Sequence, residues 1–137
     1  MAHQTVKSER LTIRSSEDIV AVRQQVRARA VEIGLGLVDQ TKVVTAASEL
    51  ARNTLIHGGG GWSVLELIEN PGRRGVRLTF EDNGPGIADI DRALQDGFST
   101  GSGLGLGLGG AKRLSNEFEI TSAPGAGTKI AITRWKL

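Results

Sequence analysis

The sequence has no cysteine and no tyrosine, and only two of its 137 residues are histidines. Without cysteine, the chain has no disulfide bond, no thiolate nucleophile and no sulfur ligand for zinc. The two histidines, His3 and His57, stand alone in the sequence and do not form a histidine-rich metal motif. These absences exclude thiol and zinc-thiolate chemistry, and they are typical of an intracellular protein.

Long apolar runs and a strong charge imbalance are also missing. No stretch approaches the roughly 18 consecutive apolar residues of a membrane span, and residues 1–10 have no apolar segment behind their charges. Seventeen Lys and Arg against 15 Asp and Glu give a net charge of +2, and aromatic residues make up only 4% of the chain. We therefore expect a cytoplasmic protein that neither spans a membrane nor binds nucleic acid.

Glycine is the residue present in excess, at 19 positions. The hydrophobic content of 39% and the charged content of 23% are ordinary for a globular fold. A chain of 137 residues also matches the size of a typical domain, about 100–150 residues. We expect a single domain over residues 1–137, whose function has to account for the glycines.

The N-terminal half of the sequence shows a strand followed by two helices. Residues 6–14 alternate between apolar and polar side chains, which predicts a strand. Apolar residues then recur at helical spacing up to Gly34, and a serine at 15–16 can cap that helix. A second helix is predicted from a cap at Asp39 to His57, where a run of glycines begins.

The C-terminal half adds short strands, turns and two shorter helices. The predicted elements are strands at 62–69 and 75–81 joined by a turn at 70–72, helices at 89–95 and 106–114, and strands at 117–121 and 128–135. The whole pattern predicts an α/β (α+β) two-layer sandwich, with helices on one face of a mixed, mostly antiparallel sheet.

Glu49 and Asn53 are the first candidate site residues. They are four positions apart on the second predicted helix, so their side chains lie on one face and can converge on one point. An amide oxygen is a suitable ligand for Mg²⁺, which takes one or two ligands from protein and the rest from water and phosphate. Glu49 is then available as a base. The same spacing is also compatible with a solvated helix surface or a cap interaction.

The segment E-D-N-G-P-G at 81–86 follows the end of a predicted strand. The Asp82 carboxylate only accepts hydrogen bonds, so it suits an exocyclic amine such as that of adenine. Gly84 and Gly86 allow backbone angles and close approaches that a Cβ would prevent. An ordinary turn after a strand would account for the same residues.

A glycine-rich loop at 101–110 leads into a predicted helix that contains Ala111 and Lys112. Free backbone amides and the positive end of a helix make such a loop a phosphate-binding element. The loop is not a dinucleotide fingerprint, because no hydrophobic strand precedes it and only 27 residues follow residue 110. It also lacks the Gly-Lys-Ser/Thr ending of a P-loop. A flexible linker remains the alternative.

Four segments stand in an order that resembles the nucleotide-binding motifs of the GHKL ATPase superfamily. They are E-L-A-R-N at 49–53, D-N-G-P-G at 82–86, G-S-G-L-G-L-G-L at 101–108 and G-T at 127–128. That superfamily includes the ATP domains of type II topoisomerases, histidine kinases and mismatch-repair proteins. The resemblance implies the GHKL ATPase/kinase fold.

Within the superfamily, the chain is most similar to the small serine/threonine kinases of bacterial partner-switching systems, in particular the stressosome switch kinases of the RsbT type. The segments that carry this similarity are A-S-E-L-A-R-N at 47–53, E-D-N-G-P-G-I at 81–87, D-G-F-S-T at 96–100 and A-K-R-L at 111–114.

The resemblance implies a role for each matching residue. Glu49 would be the general base, Asn53 the magnesium ligand and Asp82 the adenine-reading acid. The other ATP-contacting residues that it implies are Gly84, Gly86, Gly101, Gly103, Leu104, Gly105, Leu106, Gly107 and Thr128.

The resemblance also implies an activity, cofactors and partners. The chain would transfer the γ-phosphate of ATP, with Mg²⁺, to a STAS-domain antagonist, and would bind and activate a phosphatase when released. Two alternatives remain open from the sequence: an ATP-dependent anti-sigma factor that sequesters a sigma factor, and an ATP-gated binding module without transfer activity.

Overall fold

The computed structural model describes residues 3–95 and 107–136. The described elements are β1 Gln4–Ile13, α1 Ser16–Glu32, α2 Leu37–Ile56, β2 Gly61–Asn70, β3 Arg73–Asp82, α3 Ile90–Ala93, α4 Gly107–Arg113, β4 Glu117–Ser122 and β5 Thr128–Lys136. The strands form one sheet in the order β1-β2-β3-β5-β4, and each described pairing is antiparallel. The predicted fold of helices on a mostly antiparallel sheet is therefore confirmed.

Helix α1 begins where the serine pair predicts it. The Ser15 side chain accepts a hydrogen bond from Asp18 N at 3.3 Å, and Asp18 Oδ2 accepts one from Arg14 N at 2.8 Å. The Ser15 side chain thus caps one free donor of the helix, and the Asp18 side chain fixes the residue before the cap. The helix then buries Val22 and Val26 against the sheet, so its predicted apolar face is confirmed.

Helix α2 begins earlier than the sequence predicts. Its N-cap is Gly36, which makes no side-chain capping bond, and the predicted cap Asp39 lies inside the first turn. The cap prediction is wrong because the Asp39 carboxylate is used elsewhere: it accepts a bond from Arg134 Nη2 at 2.6 Å. This ion pair ties the start of α2 to strand β5.

The two predicted short helices differ in extent from their predictions. Helix α3 is a single turn instead of the seven residues predicted at 89–95, and the Asp89 carboxylate caps it by accepting from Arg92 N at 3.0 Å. Helix α4 agrees with the predicted 106–114 over its described residues, Gly107–Arg113. None of the helices in the described ranges has the length and apolar content that a membrane-spanning segment requires.

The core lies between the helices and one face of the sheet. On that face Leu65, Leu78 and Ile132 are adjacent in register and almost fully buried. Helix α2 packs over them through residues spaced three or four apart, including Val43 and Leu50. We call the opposite side of the sheet the outer face. Alternate residues of a strand point to opposite sides of the sheet. The residues that alternate with the core residues along each strand therefore lie on the outer face.

Ser63 is a polar residue inside this core. It is 0% exposed, and its Oγ has no hydrogen-bond partner among the described residues. Its cross-strand neighbours are Leu11 and Phe80, so the hydroxyl has lost water without gaining an acceptor. Burying an unsatisfied hydroxyl costs about 1–3 kcal/mol.

Replacing Ser63 by alanine should therefore raise the free energy of unfolding by about 1 kcal/mol, measured by urea denaturation. Thr54→Val is the matched control, because Thr54 is also buried but its hydroxyl donates to Leu50 O at 3.0 Å. The control should lose stability. A loss of stability in Ser63→Ala as well would mean that the Ser63 hydroxyl has a partner in solution.

Candidate nucleotide-binding site

Glu49 lies on α2 beside the beginning of α4. Its side chain is 13% exposed, and its two oxygens have different partners. Glu49 Oε2 accepts from Gly107 N at 3.2 Å, and Oε1 is 3.3 Å from Arg52 Nη1. The structure therefore brings Glu49 next to Gly107 of the glycine-rich segment, 58 positions later in the chain.

Asn53 lies one helical turn after Glu49 on the same helix, as the spacing requires. It is half-buried, and its backbone carbonyl accepts from His57 N at 3.0 Å and from Gly58 N at 3.2 Å. These two bonds end α2 and hold Gly58 directly beyond it. The C-terminal turn of α2 thus connects the Glu49 end of the site with the segment that follows.

Asp82, the last residue of β3, lies at the other end of the site. It is 7% exposed, and its Oδ1 accepts from Gly84 N at 2.9 Å. Gly58 lies directly against the carboxyl group: a Cβ on Gly58 would be 2.3 Å from Asp82 Cγ and 2.5 Å from Oδ2. The position of the Asp82 carboxylate therefore depends on the absence of a side chain at Gly58.

Gly84 and Gly86, both predicted site residues, are confined by neighbouring backbone. A Cβ on Gly84 would come within 2.7 Å of Gly58 Cα. Gly86 has φ +78°, and a Cβ there would be 2.0 Å from Ala123 O. The D-N-G-P-G segment therefore packs between the end of α2 and the turn that joins β4 to β5.

Thr128 lies opposite Asp82 in the pairing of β3 with β5, and it is 7% exposed. Its hydroxyl is 2.8 Å from Ser122 Oγ. Ser122 Oγ also donates to Gly127 O at 2.9 Å and accepts from Ile87 N at 2.8 Å. Because a serine hydroxyl has one proton, Thr128 is the donor of the bond to Ser122, and its own lone pairs stay open.

Sequence reasoning missed Gly58 and Ser122. The pattern of the sequence assigns Gly58 only to the end of a helix, and Ser122 only to the end of a strand. Both contacts join segments that are distant in sequence: Gly58 is 24 positions before Asp82, and Ser122 is 35 positions after Ile87.

Replacing Ser122 by alanine should weaken ATP binding by roughly three- to tenfold, the effect of losing about one net hydrogen bond. Without Ser122 Oγ, the Thr128 hydroxyl and the Ile87 amide lose their common partner. Titration calorimetry measures the affinity. Ser115→Ala is the control, since Ser115 donates to Ala111 O at 2.8 Å on α4 and contacts neither residue. If the wild type, Ser122→Ala and Ser115→Ala all bind ATP with equal affinity, the bond from Thr128 to Ser122 does not contribute to nucleotide binding.

Part of the predicted site lies outside the described residues. This applies to Gly101, Gly103, Leu104, Gly105 and Leu106, and to the segment at 96–100. Gly107 is described, with φ +69° at the start of α4. In residues 3–95 and 107–136, no group of three or more His, Cys, Asp or Glu side chains could hold a metal ion.

The chemistry of the described residues is compatible with a nucleotide. At one end, Asp82 and Thr128 present hydrogen-bond acceptors beside backbone that only glycine allows, which suits an aminopurine. At the other end, Glu49 and a backbone amide of Gly107 lie together, one turn from Asn53.

The sequence from residue 38 to residue 137 matches the family of histidine kinase-, DNA gyrase B- and HSP90-like ATPases. The chain belongs to this ATPase family. The predicted membership of the GHKL superfamily is therefore confirmed, and ATP is the nucleotide expected in the site of such a domain.

Individual members of the family agree with this assignment. The chain is 48% identical over 118 residues to the serine/threonine-protein kinase RsbT of Bacillus subtilis (strain 168), which covers 86% of this chain and 89% of that protein. It is 30% identical over 122 residues to the anti-sigma F factor of Thermoanaerobacter sp. (strain X514), covering 82% of each chain. The predicted resemblance to RsbT-type kinases is thereby confirmed.

Solved structures agree on the fold of this ATPase domain. The RsbU and RsbW domains of Rv1364c from Mycobacterium tuberculosis align with a TM-score of 0.66 and 22% identity, over 96% of this chain and 34% of that chain. The SiaB–SiaC complex from Pseudomonas aeruginosa aligns with a TM-score of 0.54 and 14% identity, over 96% and 91% of the two chains. This ATPase chain thus spans about a third of the Mycobacterium protein and nearly all of the Pseudomonas one.

Proposed function

We propose that this chain is an ATP-dependent protein serine/threonine kinase that transfers the γ-phosphate to a STAS-domain antagonist in a partner-switching pathway. The observation that carries the proposal is the position of Glu49. Its carboxylate is mostly buried and lies at the start of α4, one turn before Asn53, in a chain 48% identical to a serine/threonine-protein kinase.

In the proposed reaction, the Glu49 carboxylate accepts the proton of the substrate hydroxyl. The hydroxyl oxygen forms a bond to the γ-phosphorus while the bond from that phosphorus to the β–γ bridging oxygen breaks, which releases ADP. Backbone amides of the glycine-rich segment would stabilise charge on the transferred group, while the Gly107 amide holds Glu49 in place. Water can replace the hydroxyl, so we expect slow ATP hydrolysis without a protein substrate.

Base recognition is assigned to Asp82 and Thr128. The Asp82 carboxylate would accept a hydrogen bond from the 6-amino group of adenine, which guanine lacks. Gly84 and Gly86 would allow the purine to approach the backbone, and the glycines and leucines at 101–106 would complete the phosphate end. The closeness of Gly58 to Asp82 supports this assignment, because it keeps the carboxylate at one position.

We also propose Asn53 as the magnesium ligand. Mg²⁺ commonly takes one or two ligands from protein and the others from phosphate and water, which agrees with the single amide at this position. When bound, the ion would neutralise charge on the phosphates.

Asn53→Ala should remove the magnesium-dependent part of ATP affinity, measured by titration with and without the ion. Asn83→Ala is the control, because Asn83 is an exposed amide beside Asp82. This variant should keep the magnesium-dependent part of the ATP affinity. A full magnesium effect in Asn53→Ala would exclude Asn53 as a ligand.

The kinase proposal is tested with a purified STAS-domain antagonist of a partner-switching system as the candidate substrate. Incubation with labelled ATP and magnesium should produce phosphoserine or phosphothreonine on that protein, identified by mass spectrometry, and the complex should then dissociate on gel filtration. The released kinase should bind a phosphatase, and the two contacts should be mutually exclusive. A stable complex with bound ATP but no phosphorylated residue would favour the binding-module alternative.

An ATP-dependent anti-sigma factor is the second candidate, favoured by the 30% identity to anti-sigma F factors. Gel filtration with a sigma factor encoded nearby, with and without ATP, distinguishes the two functions. In either case we propose a cytoplasmic location.

A further inference from the structure

A cavity of about 600 Å³ opens where the outer face of the sheet meets the loop between α2 and β2. We call it the Arg10–Trp62 groove. Its lining includes Arg10, Thr12, Arg14, Trp62 and Asn83, together with the glycines at 58–61. Apart from Asn83, which lies in the motif at 82–86, none of these side chains belongs to the predicted nucleotide site.

The groove is rich in hydrogen-bond donors and positive charge. The arginines at 29, 52, 74 and 134 each have a carboxylate within 4.0 Å. Over residues 3–95 and 107–136, by contrast, no carboxylate forms an ion pair with Arg10 or Arg14. The Gly59 amide also lacks a hydrogen-bond partner in these ranges. Two guanidinium groups and a free amide in one cavity indicate an anionic ligand.

Trp62 gives the groove a rigid wall. Its Nε1 donates to Glu81 Oε2 at 3.2 Å, and the Arg10 guanidinium carbon lies 4.9 Å from the ring centroid. The carboxylate of Glu81, on the same side of the sheet, is therefore already engaged with the indole. The ring orients Arg10 through a cation–π contact and leaves its hydrogen-bond donors available.

The phosphates of ATP are not the anion that this groove fits. It adjoins the adenine end of the site through Gly58 and Asn83, whereas the phosphate end lies at Glu49 and Gly107. Glu49 is nine residues before Gly58, and a rise of about 1.5 Å per residue along α2 separates the two positions by roughly 13 Å.

The two arginines are spaced to bind an extended peptide. Arg10 and Thr12 are alternate residues of β1, which ends at Ile13, and Arg14 follows directly, so the two arginines are at most about 13 Å apart along the strand direction. An extended segment with carboxylates four residues apart has the same spacing. A protein segment fits better than a nucleic acid, because the net charge is only +2 and Glu66 lies on the same outer face.

We propose that the Arg10–Trp62 groove binds an acidic segment of the protein substrate and docks it at a distance from the phosphoryl-transfer site. The inference rests on the proposed function in one respect, since it assigns the groove to the STAS antagonist. Such docking would raise affinity for the substrate without taking part in the transfer of the phosphate.

The test is the double variant Arg10→Glu/Arg14→Glu of the full chain, with the STAS-domain antagonist of the kinase assay as the probe. KM for the antagonist should rise by roughly tenfold or more, while kcat at saturation and the Kd for ATP stay within about twofold. The difference in KM between the wild type and the double variant should shrink at high salt, because the proposed contacts with the antagonist are exposed ion pairs. Unchanged ATP binding also shows that the variant is folded.

Arg73→Glu is the matched control. Arg73 is also exposed and lies 4.0 Å over a tryptophan, Trp135, on the same outer face, but it does not line the groove. This variant should leave KM for the antagonist unchanged. If KM rises equally for Arg73→Glu, the effect comes from the overall charge of the protein. That result would overturn the proposal that the groove binds the antagonist specifically.

The remaining outcomes separate the groove from the kinase function. If the wild type phosphorylates the antagonist and the double variant has an unchanged KM, the groove proposal is wrong and the kinase proposal stands. If the wild type binds the antagonist without phosphorylating it, and the double variant loses this binding by calorimetry, the groove proposal stands alone. If the wild type does neither, both fail. A single-stranded oligonucleotide is the last probe. If it binds the wild type but not the double variant, and the antagonist binds both equally, the groove is a nucleic-acid site and the docking proposal is wrong.

Discussion

Glu49→Gln is expected to lower phosphoryl transfer at least a hundredfold while ATP stays bound, since a positioned general base contributes about 10²–10⁴-fold to the rate. Glutamine has nearly the same shape and can still accept a bond from Gly107 N, which Glu49 Oε2 does at 3.2 Å. It cannot take the proton of the substrate hydroxyl. The contact between α2 and α4 should therefore survive, while the transfer step is lost together with the ion pair between Glu49 and Arg52.

Transfer is measured as initial rates of antagonist phosphorylation, and ATP affinity by calorimetry. Asp39→Asn is the control, because Asp39 is the other acidic residue of α2 and its carboxylate binds Arg134 at the far end of the helix. This control should keep the wild-type rate. Normal transfer by Glu49→Gln would remove Glu49 from the role of base and would leave the binding-module function as the better explanation.

Gly58→Ala is expected to weaken ATP binding by roughly 10- to 100-fold, although Gly58 is not one of the residues predicted to touch the nucleotide. The added Cβ would be 2.3 Å from Asp82 Cγ, so the carboxylate must move. A displaced carboxylate loses its charge-assisted hydrogen bond to the adenine amine, and such bonds contribute about 1.5–3 kcal/mol. Asp82→Asn should give a similar loss and weaker discrimination against GTP.

Gly59→Ala is the matched control for this effect. A Cβ at Gly59 meets nothing within 4 Å, although its φ of +75° is unfavourable for alanine. The control should lose about 1 kcal/mol of stability but keep its affinity for ATP. If Gly58→Ala binds ATP as tightly as the wild type, then either the carboxylate does not read the base or it tolerates the shift.

Local patterns in the sequence predicted the helices and strands well. The cap at the serine pair 15–16, the apolar face of α1 and a turn at 70–72, which the structure narrows to Pro71 and Gly72, each depend on neighbours within a few positions. The pairing of Glu49 with Asn53 is of the same kind, because four residues on a helix share a face whatever the rest of the fold does. The order of the four motifs in the sequence also indicated the ATPase family and its nucleotide, ATP.

Contacts between distant segments were decided only by the tertiary structure. Asp39 would be a good cap by its sequence, but the fold places Arg134, 95 residues later, against it. Gly58 lies near Asp82 because β2, which begins at Gly61, pairs with the end of β3, and Ser122 lies near Thr128 because β4 pairs with β5. No local pattern encodes these contacts, since they depend on which strands pair and by how many residues they are offset.

By itself, then, the sequence determined the elements, the candidate chemistry of Glu49, Asn53 and Asp82, and the family. The tertiary structure decided which groups hold those residues in position, and it brought Arg14 and Trp62 into one groove. The physical reason is that burial repeats with the period of each helix and strand and so is visible in one segment. A site, by contrast, forms where segments far apart in the chain meet, and only the packed fold brings them together.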